Sequence, residues 1–542
     1  MRVQLLTGQD ALERVNADAF QAQWKGLHAR CPWATACQHP DFVLTWYRFY
    51  GTRHVPVVVL AQAADGALSG LLTLALRPGA RQLCGAGDQQ AEYQGWLLPP
   101  GADDGFVAAA IGQIRAAFPL ADLCLRYLPP GIALGALADP DRFGGVAALR
   151  RHRRPLMHID AAAMARQRNK KNHRQNYNRL GRIGEVKFER VVGHERFAGC
   201  FDEVCMQYDF RQAALYRSMP FSSDASKKPF YLALHRNGLL HATVLRVGDA
   251  IAAAHLGLLS QGRAVHLGIN THHPALAAHS PGNLLLAMLG VHLADEDIPA
   301  LDLTPGGDRY KEYFASGHDV VFELTVYRDS GRRWLHEAIF NASRLLKDRL
   351  QAAGYRLSDV SAFLQKLKDP ATYGMKALCA QWNRRFRSRV VAFEYGGGVP
   401  ASLGTNMAIS KNSVQDIMRY DASGSAIRYR DFLNLAMQRM ERSSDVFSLV
   451  QNGKLQMCCW AQALVADPGP AYQEQKQGDA IVLSDLHIHR DVQDLEPARD
   501  FVLQIVCGLQ RGKRGVSVYY RGTVDGRLRR LMSMCGFTEQ AP

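Results

Sequence analysis

The chain has 542 residues, 47% of them hydrophobic, which is ordinary for a globular protein and enough to bury several cores. Its net charge of +15 favours anionic partners such as CoA phosphates, nucleic acid or an anionic membrane surface, without choosing among them. No apolar run approaches the roughly 20 residues of a membrane helix, and the first residues lack the apolar segment of a secretory signal. We therefore expect a cytoplasmic protein without a transmembrane segment.

The eleven cysteines are scattered, and none falls into a CxxC or Cys/His spacing. This pattern is typical of reduced thiols packed in protein cores. His272 and His273 are adjacent, so a strand cannot easily turn both towards one metal ion. The sequence therefore predicts no metal site, and it places no cysteine as a covalent nucleophile.

Apolar periodicity and turn residues divide the chain into three α/β regions and one helical linker. We place them at residues 1–155, 156–335, 336–369 (the linker) and 370–542. In the first region the pattern predicts two helices, then a hairpin, and finally a very basic stretch: Ala17–Ala29, Asp41–Tyr50, Val55–Gln62, Leu68–Leu76 and Arg150–Arg154.

The second region opens with a basic helical segment, Arg166–Arg182, that contains no acidic residue. The pattern then predicts two helices, a hairpin, a third strand, a loop leading into a helix, a short strand and a last helix. Their bounds are Phe197–Arg211, Pro229–Asn237, Leu239–Val247, Ala250–Leu259, Ala264–Asn270, Leu284–Leu293, Ala300–Leu303 and Asp308–Ala315. The third region repeats a similar order, which indicates an architectural repeat.

The loop His279–Asn283 has the residues of a helix start, with Ser280 before Pro281. Free N–H groups at a helix start bind anions such as a pyrophosphate, and Gly282 lets a ligand approach the backbone. A plain helix cap is the simpler interpretation of the same residues.

The segment Leu301–Phe314 joins a short strand, a Gly-rich turn and a helix. Tyr310 can protonate a leaving thiolate there, and Lys311 can hold a phosphate or stabilise an oxyanion. In the alternative interpretation, Tyr310 and Phe314 are core positions and Lys311 is solvated. Within the basic segment, Lys171 and Arg174 are candidates for binding phosphates of CoA, a nucleotide sugar or tRNA, and a solvated helix is the alternative.

In their order and spacing these motifs resemble the GNAT acyltransferases of the CelD type, which are associated with bacterial cellulose and exopolysaccharide synthesis and related to the Fem-type aminoacyl transferases. The resemblance covers roughly residues 20–330. The segments that carry it are Phe42–Tyr50, Gly85–Asp88, Lys170–Arg174, Gly184–Phe188, Leu245–Ala254, Ser280–Asn283 and Gly306–Lys311.

The resemblance implies tandem GNAT-like folds, each a mixed, mostly antiparallel sheet flanked by helices. It implies acetyl-CoA or another acyl-CoA as co-substrate, with Ser280, Pro281, Gly282 and Asn283 at the cofactor and Tyr310 and Lys311 at the reacting end. We take His255 as the candidate base, or else a core histidine, and Asp302 as a residue that orients a partner or the substrate amine.

The third region resembles a second GNAT domain but departs from the family in its phosphate-binding loop. Acidic residues in Arg490–Glu496 replace the glycines that cradle the pyrophosphate, so CoA would meet repulsion there. We therefore interpret this domain as degenerate, serving structure or acceptor binding, or as using a different donor.

The resulting prediction is an acyltransferase in which an amine or hydroxyl attacks the thioester directly. Its acceptor is a polysaccharide precursor, a cell-envelope component or a specialised metabolite. A tRNA-dependent aminoacyl transferase of the Fem type is the first alternative, favoured by the positive charge. A non-catalytic scaffold with an anion-binding surface is the second.

Overall fold

The computed structural model describes residues 2–102, 105–138, 143–260, 262–352, 390–396, 407–423, 425, 427–463, 480–510, 517–523 and 525–540. The chain divides into two compact units. The first lies within residues 1–205, 220–271 and 281–349, and the second within residues 206–219, 272–280 and 350–542. None of the helices in the described part of the chain combines the length and apolar character needed to span a membrane.

The first unit is built on one twelve-stranded sheet, in the order β1-β2-β3-β4-β5-β12-β6-β11-β10-β9-β8-β7. The strands are β1 Arg2–Thr7, β2 Val55–Gln62, β3 Leu68–Arg77, β4 Gln82–Gly85, β5 Asp122–Leu125, β6 Ala147–His158, β7 Val186–Arg190, β8 Leu240–Val247, β9 Ala250–Ser260, β10 Ala264–His272, β11 Ala300–Asp302 and β12 Gly317–Val326. Two neighbouring pairs, β4 with β5 and β10 with β11, are parallel.

Twelve helices accompany this part of the chain. They are α1 Gly8–Asn16, α2 Asp18–Arg30, α3 Pro40–Tyr50, α4 Gly105–Ala117, α5 Gly135–Ala138, α6 Ala161–Arg168, α7 Lys171–Gly181, α8 His194–Tyr216, α9 Lys227–Arg236, α10 Pro281–Asp295, α11 Arg309–Phe314 and α12 Ser330–Ala352. A helix between the parallel strands, α4 in one case and α10 in the other, carries the chain back across the sheet, as parallel pairing requires.

The mixed α/β fold class predicted from the sequence is confirmed. The predicted boundary between residues 155 and 156 falls inside β6, and strands from both sides of it share one sheet. The predicted linker, residues 336–369, lies in α12 as far as Ala352, and its remainder lies outside the described residues.

The basic stretch Arg150–Arg154 is part of strand β6, which pairs with β12 from Ala147 to Leu156. Acidic residues of β12 balance the arginines: Arg150 lies 4.0 Å from Glu323, and Arg154 binds Asp319. Unlike charges on adjacent strands stabilise such pairing, which explains how a highly charged segment can extend through a sheet.

Helix α10 covers one face of the sheet around β10 and β11. Its Leu286, Leu289 and Leu293 form a core with Val265 and Leu301. Because successive strand residues point to opposite faces, His266 and Asp302 point away from α10. The register of the parallel pair contains Val265 with Leu301 and His266 with Asp302, and β10 then continues to His272 after β11 has ended.

The second unit has a seven-stranded sheet in the order β14-β15-β16-β17-β18-β13-β19. Its strands are β13 Val390–Tyr395, β14 Ser410–Lys411, β15 Asp445–Gln451, β16 Lys454–Ala463, β17 Ala480–Ile488, β18 Ser517–Thr523 and β19 Phe537–Glu539. Its helices after residue 352 are α13 Val414–Ile417, α14 Tyr429–Glu441, α15 Glu496–Gln510 and α16 Gly526–Met534. Strands β17 and β18 are parallel and are joined through α15, so the element order of the second region recurs.

Candidate functional site

Asp302, at the end of β11, is the centre of a buried polar cluster. Its side chain is completely buried, and its Oδ2 accepts hydrogen bonds from Tyr93 Oη at 2.6 Å and Arg154 Nη1 at 3.1 Å. Its Oδ1 accepts from Thr304 N at 2.8 Å. The buried carboxylate is therefore fully bonded, as a charge inside a protein must be.

His266 joins Asp302 to a buried serine. His266 Nδ1 lies 2.9 Å from Asp302 Oδ2, and His266 Nε2 lies 2.6 Å from Ser260 Oγ. The Ser260 hydroxyl in turn accepts a hydrogen bond from the Ala36 backbone N–H at 2.9 Å. Serine, histidine and aspartate thus form one continuous line of hydrogen bonds.

Two segments of the first region support this line. Gln38 Nε2 donates to the Tyr93 carbonyl at 2.8 Å, and Gln38 also closes a capping box with Thr35 around Ala36. The box fixes the Ala36 N–H that reaches Ser260, while the bond to Gln38 fixes the tyrosine that reaches Asp302. The first region therefore supplies part of the cluster rather than only a neighbouring fold.

The charge of the cluster is balanced within it. Burial alone would raise the pKa of Asp302, but the hydrogen bond from His266 and the charge of Arg154 outweigh that effect and lower the pKa to about 2. Arg154 also binds Asp319 through Nε and Nη2, at the more exposed edge of the cluster. Burial raises the pKa of Tyr93 well above its usual range, so its hydroxyl stays protonated and donates.

Lys311 lies beside the same carboxylate, beneath the turn that follows β11. Its Nζ donates to the Thr304 carbonyl and to the Pro305 carbonyl, both at 3.3 Å, and to Thr304 Oγ1 at 3.2 Å. Burial lowers its pKa. Thr304 has a left-handed backbone with φ 59°, and Gly306 follows with φ 150°, so the turn closes tightly over the amine. Lys311 is therefore buried rather than solvated.

Glu92 is a further acidic group near the cluster. It precedes Tyr93 in the chain, and its carboxyl lies 3.7 Å from the Arg126 guanidinium. Burial raises its pKa, and the charges of Arg126, Lys311 and Asp302 act on it as well.

His255 lies on the opposite face of the sheet from His266. Its ring is 6.5 Å from that of His241, which in turn is 6.3 Å from His292 on α10. His255 is fully buried, burial lowers its pKa to about 3, and neither ring nitrogen has a partner among the described residues. The structure thus brings Asp302 and Lys311 together and leaves His255 apart from them. A catalytic role for His255 stays a prediction.

The predicted cofactor residues Pro281, Gly282 and Asn283 form the first turn of α10, directly after Ser280, whose backbone is left-handed with φ 49°. The first N–H groups of a helix have no acceptor within the helix, so they can bind an anion. The helix begins three residues earlier than the sequence predicts, because proline is favoured in a first turn.

Lys171 and Arg174 are exposed on α7, near α11. Between them, His173 is buried and stacks on Phe314 at 6.2 Å, so the helix is packed through one side and charged on the other. Tyr310 is half-buried and packs against the apolar core under α11. It therefore has the core contact of one sequence interpretation, and its role towards a leaving thiolate stays a prediction.

One group of described residues has the composition of a metal site. His241, His292 and Glu296 offer ligand atoms that all lie within 4.8 Å of one another. Arg190 Nε also binds Glu296 Oε1 at 3.3 Å, so a guanidinium already occupies part of that carboxylate. Two imidazoles and a carboxylate form a donor set that suits zinc.

Sequence reasoning missed Tyr93, Arg154, Ser260 and His266 as site residues. A polar histidine inside the apolar strand Ala264–Asn270 was the available signal. Tyr93 gave none, since it lies in a segment without regular periodicity, and its hydroxyl meets a carboxylate 209 residues away.

Residues 167–312 match the family model described as an acetyltransferase (GNAT) domain. Among curated proteins, none matches the sequence. Similar solved structures include FemX, at 9% identity and TM-score 0.40, covering 57% of this chain and 96% of that one. They also include the C-terminal domain of a putative lysylphosphatidylglycerol synthetase from Agrobacterium fabrum, at 12% identity and TM-score 0.39, covering 62% and 97%. A tandem GNAT protein from the clavulanic acid biosynthesis pathway has 14% identity and TM-score 0.38, covering 60% and 99%.

These structural likenesses are distant and say nothing about the substrate. The family match is confined to the segment that begins in α6 and ends in α11, and this segment contains Ser260, His266 and Asp302. The resemblance of this chain to GNAT acetyltransferases therefore rests on the match of residues 167–312.

Proposed function

We propose that the protein transfers an acyl group from acyl-CoA to an amine or hydroxyl, and that the reaction takes place beside His266 and Asp302. The observation that carries the proposal is the position of this pair. It is the last pair of residues between the parallel strands of the segment that matches the acetyltransferase model. A histidine held by an ionised carboxylate is a good proton acceptor for an attacking nucleophile.

The pyrophosphate of CoA binds at the first turn of α10, at Gly282 and Asn283, and Lys171 and Arg174 attract the remaining phosphate charge. This placement uses the N–H groups of the helix start and its positive dipole. Lys311 and Tyr310, on α11, are the candidates to stabilise the thioester oxygen and the leaving thiolate.

The acceptor that the sequence resemblance suggests is a polysaccharide precursor, a cell-envelope component or a specialised metabolite. A tRNA-dependent aminoacyl transferase is the second candidate, favoured by the exposed charges of α7. A steep dependence of tRNA affinity on salt would support it.

Binding of acetyl-CoA by calorimetry, with and without added tRNA, tests the donor. We expect saturable binding of acetyl-CoA that tRNA does not change. Binding of aminoacyl-tRNA with no binding of acetyl-CoA would overturn the proposal in favour of the second candidate. If the protein consumes neither acetyl-CoA nor aminoacyl-tRNA with any acceptor, the result favours the non-catalytic scaffold.

A panel of amines and alcohols, assayed by release of free CoA thiol, tests the site. His266→Gln should abolish thiol release and leave acetyl-CoA binding intact. His255→Gln, on the opposite face of the sheet, is the matched control and should retain release. Loss of release in the control alone would return the base to His255.

A further inference from the structure

The end of α10 and the start of β8 bring two imidazoles and a carboxylate to one place. His292 lies in the last turn of α10, and Glu296, four residues later, directly follows the helix. His241 is the second residue of β8 and meets them from the sheet, although 55 residues separate it from Glu296. The sequence pattern predicts no metal site here, because the three groups come from two distant elements rather than from one short motif.

The distances among these groups suit a tetrahedral metal ion. His241 Nε2 lies 3.0 Å from Glu296 Oε2, and His292 Nε2 lies 3.2 Å from Glu296 Oε1. One ligand atom from each residue lies within 4.8 Å of the other two. In a zinc tetrahedron with bonds of about 2.0–2.1 Å, neighbouring ligand atoms are about 3.3 Å apart. Two of the three separations are therefore already close to those of a zinc site.

The side chains alone do not satisfy each other. His292 Nε2 is buried and faces Glu296, but it has no hydrogen-bond partner among the described residues. The side chain of His241 is completely buried beside it. A buried polar atom without a partner is uncommon in proteins, and a bound ion is one of its explanations. A metal ion between the three groups would accept the lone pair of that nitrogen.

Arg190 is the positive charge that an ion must tolerate at this place. Its Nε donates to Glu296 Oε1 at 3.3 Å, and its Nη1 donates to the backbone carbonyls of Val191 and Ala242, both at 3.3 Å. The backbone bonds hold the guanidinium in position, and Glu296 Oε2 remains for the ion. The carboxylate then has an outer hydrogen bond of the kind that orients metal ligands.

We infer that His241, His292 and Glu296 bind a zinc ion, with a water molecule as the fourth ligand. The ion ties β8 to the C-terminal end of α10. It lies on the face of the sheet that α10 covers, because His241 meets His292 of that helix. His266 points away from α10, so the ion has a structural role and takes no part in acyl transfer.

Titration of the full chain with zinc chloride tests the inference. Protein freed of metal by a chelator is titrated in a calorimeter, and its thermal unfolding is followed with and without zinc. We expect one tight site per chain and a rise of Tm by a few degrees, since an ion that binds only the folded state stabilises it. Magnesium chloride should produce neither effect, because Mg²⁺ prefers oxygen ligands.

His292→Gln and Glu296→Gln should each weaken zinc binding by roughly a hundredfold and remove the rise of Tm. Their side chains are 28% and 32% exposed, so we expect both variants to fold. His318→Gln is the matched control and should bind zinc as wild type does. His318 Nε2 lies 3.0 Å from Glu312 Oε2 and its side chain is 27% exposed, but no third ligand among the described residues joins that pair.

Cobalt chloride in place of zinc reports on the ligands themselves. Four-coordinate Co²⁺ absorbs visible light much more strongly than six-coordinate Co²⁺, so we expect a strong band in wild type and in His318→Gln. Both ligand variants should lose it. A wild-type chain without a tight zinc site would overturn the inference, as would ligand variants that bind zinc like wild type. Either result would leave the group as an ion-pair network around Arg190.

Discussion

The parallel pair β10–β11 of the first sheet and the parallel pair β17–β18 of the second sheet share one layout. They differ in the residues at the last paired position. In the first sheet this position holds His266 and Asp302, both buried. In the second sheet it holds Ser484, which is half-buried, and Arg521, which is exposed. The same backbone arrangement thus presents a desolvated histidine–carboxylate pair in one unit and a solvated polar pair in the other.

The helix starts that follow these strands differ as well. In the second unit Asp494 Oδ1 accepts the Glu496 N–H at 3.1 Å, so the chain's own carboxylate occupies the first turn of α15. Glu496 adds a further negative charge and pairs with Arg499. The first turn of α10 has Gly282 and Asn283 and no acid. Charge at these two places distinguishes a helix start that can bind phosphate from one that repels it.

The largest effect should come from the carboxylate at the end of β11. We expect Asp302→Asn to lower the rate of acyl transfer by roughly a thousandfold or more, because an amide cannot hold the imidazole in the required tautomer. The rate of CoA thiol release measures it, and circular dichroism checks the fold. Asp319→Asn, at the other end of Arg154, is the control and should cost much less. Equal losses of rate in the two variants would show that Asp302 acts through Arg154 rather than through the imidazole of His266.

The next prediction concerns the face of the first sheet that carries His255, which we expect acyl transfer not to need. The pKa of His255 is about 3 when folded and near 6.5 when unfolded, so the unfolded chain binds more protons between these values. Wild type therefore loses stability as pH falls below 6.5, by about 2 kcal/mol at pH 5 from this histidine. His255→Leu should remove that loss while transfer activity persists. Urea midpoints at pH 7.5 and pH 5 measure the difference, and an identical pH dependence in both proteins would contradict it.

A smaller effect should follow from making the first helix start resemble the second. Asn283→Asp places a negative charge at the first turn of α10, and we expect the Kd for CoA to rise about tenfold. Asp491→Asn, in the loop of the second unit, is the matched control and should leave the Kd unchanged. Calorimetry measures both. If the Kd changes in the control and not in Asn283→Asp, the CoA site belongs to the second unit instead.

The smallest effect should come from the exposed charges of α7. Neutralising both Lys171 and Arg174 to glutamine should weaken CoA binding a few-fold at low ionic strength and hardly at all at high ionic strength, because exposed charges are screened. Titrations at two salt concentrations measure it. A salt-independent loss would mean that these residues contact the cofactor directly.

Much of the fold could be predicted from local patterns. The hairpin strand Val55–Gln62 has the predicted bounds, and helix Pro40–Tyr50 and strand Ala250–Ser260 each differ from the prediction by one residue, since each depends on periodicity and on turn residues close by. The strand character of Arg150–Arg154 could not be predicted, because it depends on acids of β12 more than 160 residues later.

The site residues also separate into those with a local sequence signal and those without one. Asp302 ends a short strand and Lys311 follows a Gly-rich turn, which are local signals. His255 and His266 both lie in strands of apolar sequence, and only the register of the sheet decides which face each imidazole occupies. Nothing local shows that Ser260 and Ala36 meet, since 224 residues separate them.

The bond between Tyr93 and Asp302 has a consequence for how such a protein could be divided or recombined. A fragment cut at residues 167 and 312 would keep His266 and Lys311 but leave Tyr93 and Arg154 behind, and with them two of the three side chains that bind the buried carboxylate. An uncompensated buried charge is strongly destabilising. A portable module must therefore include Tyr93 and Arg154, and a gene fusion that borrowed the matched segment alone would inherit the aspartate without the means to keep it buried.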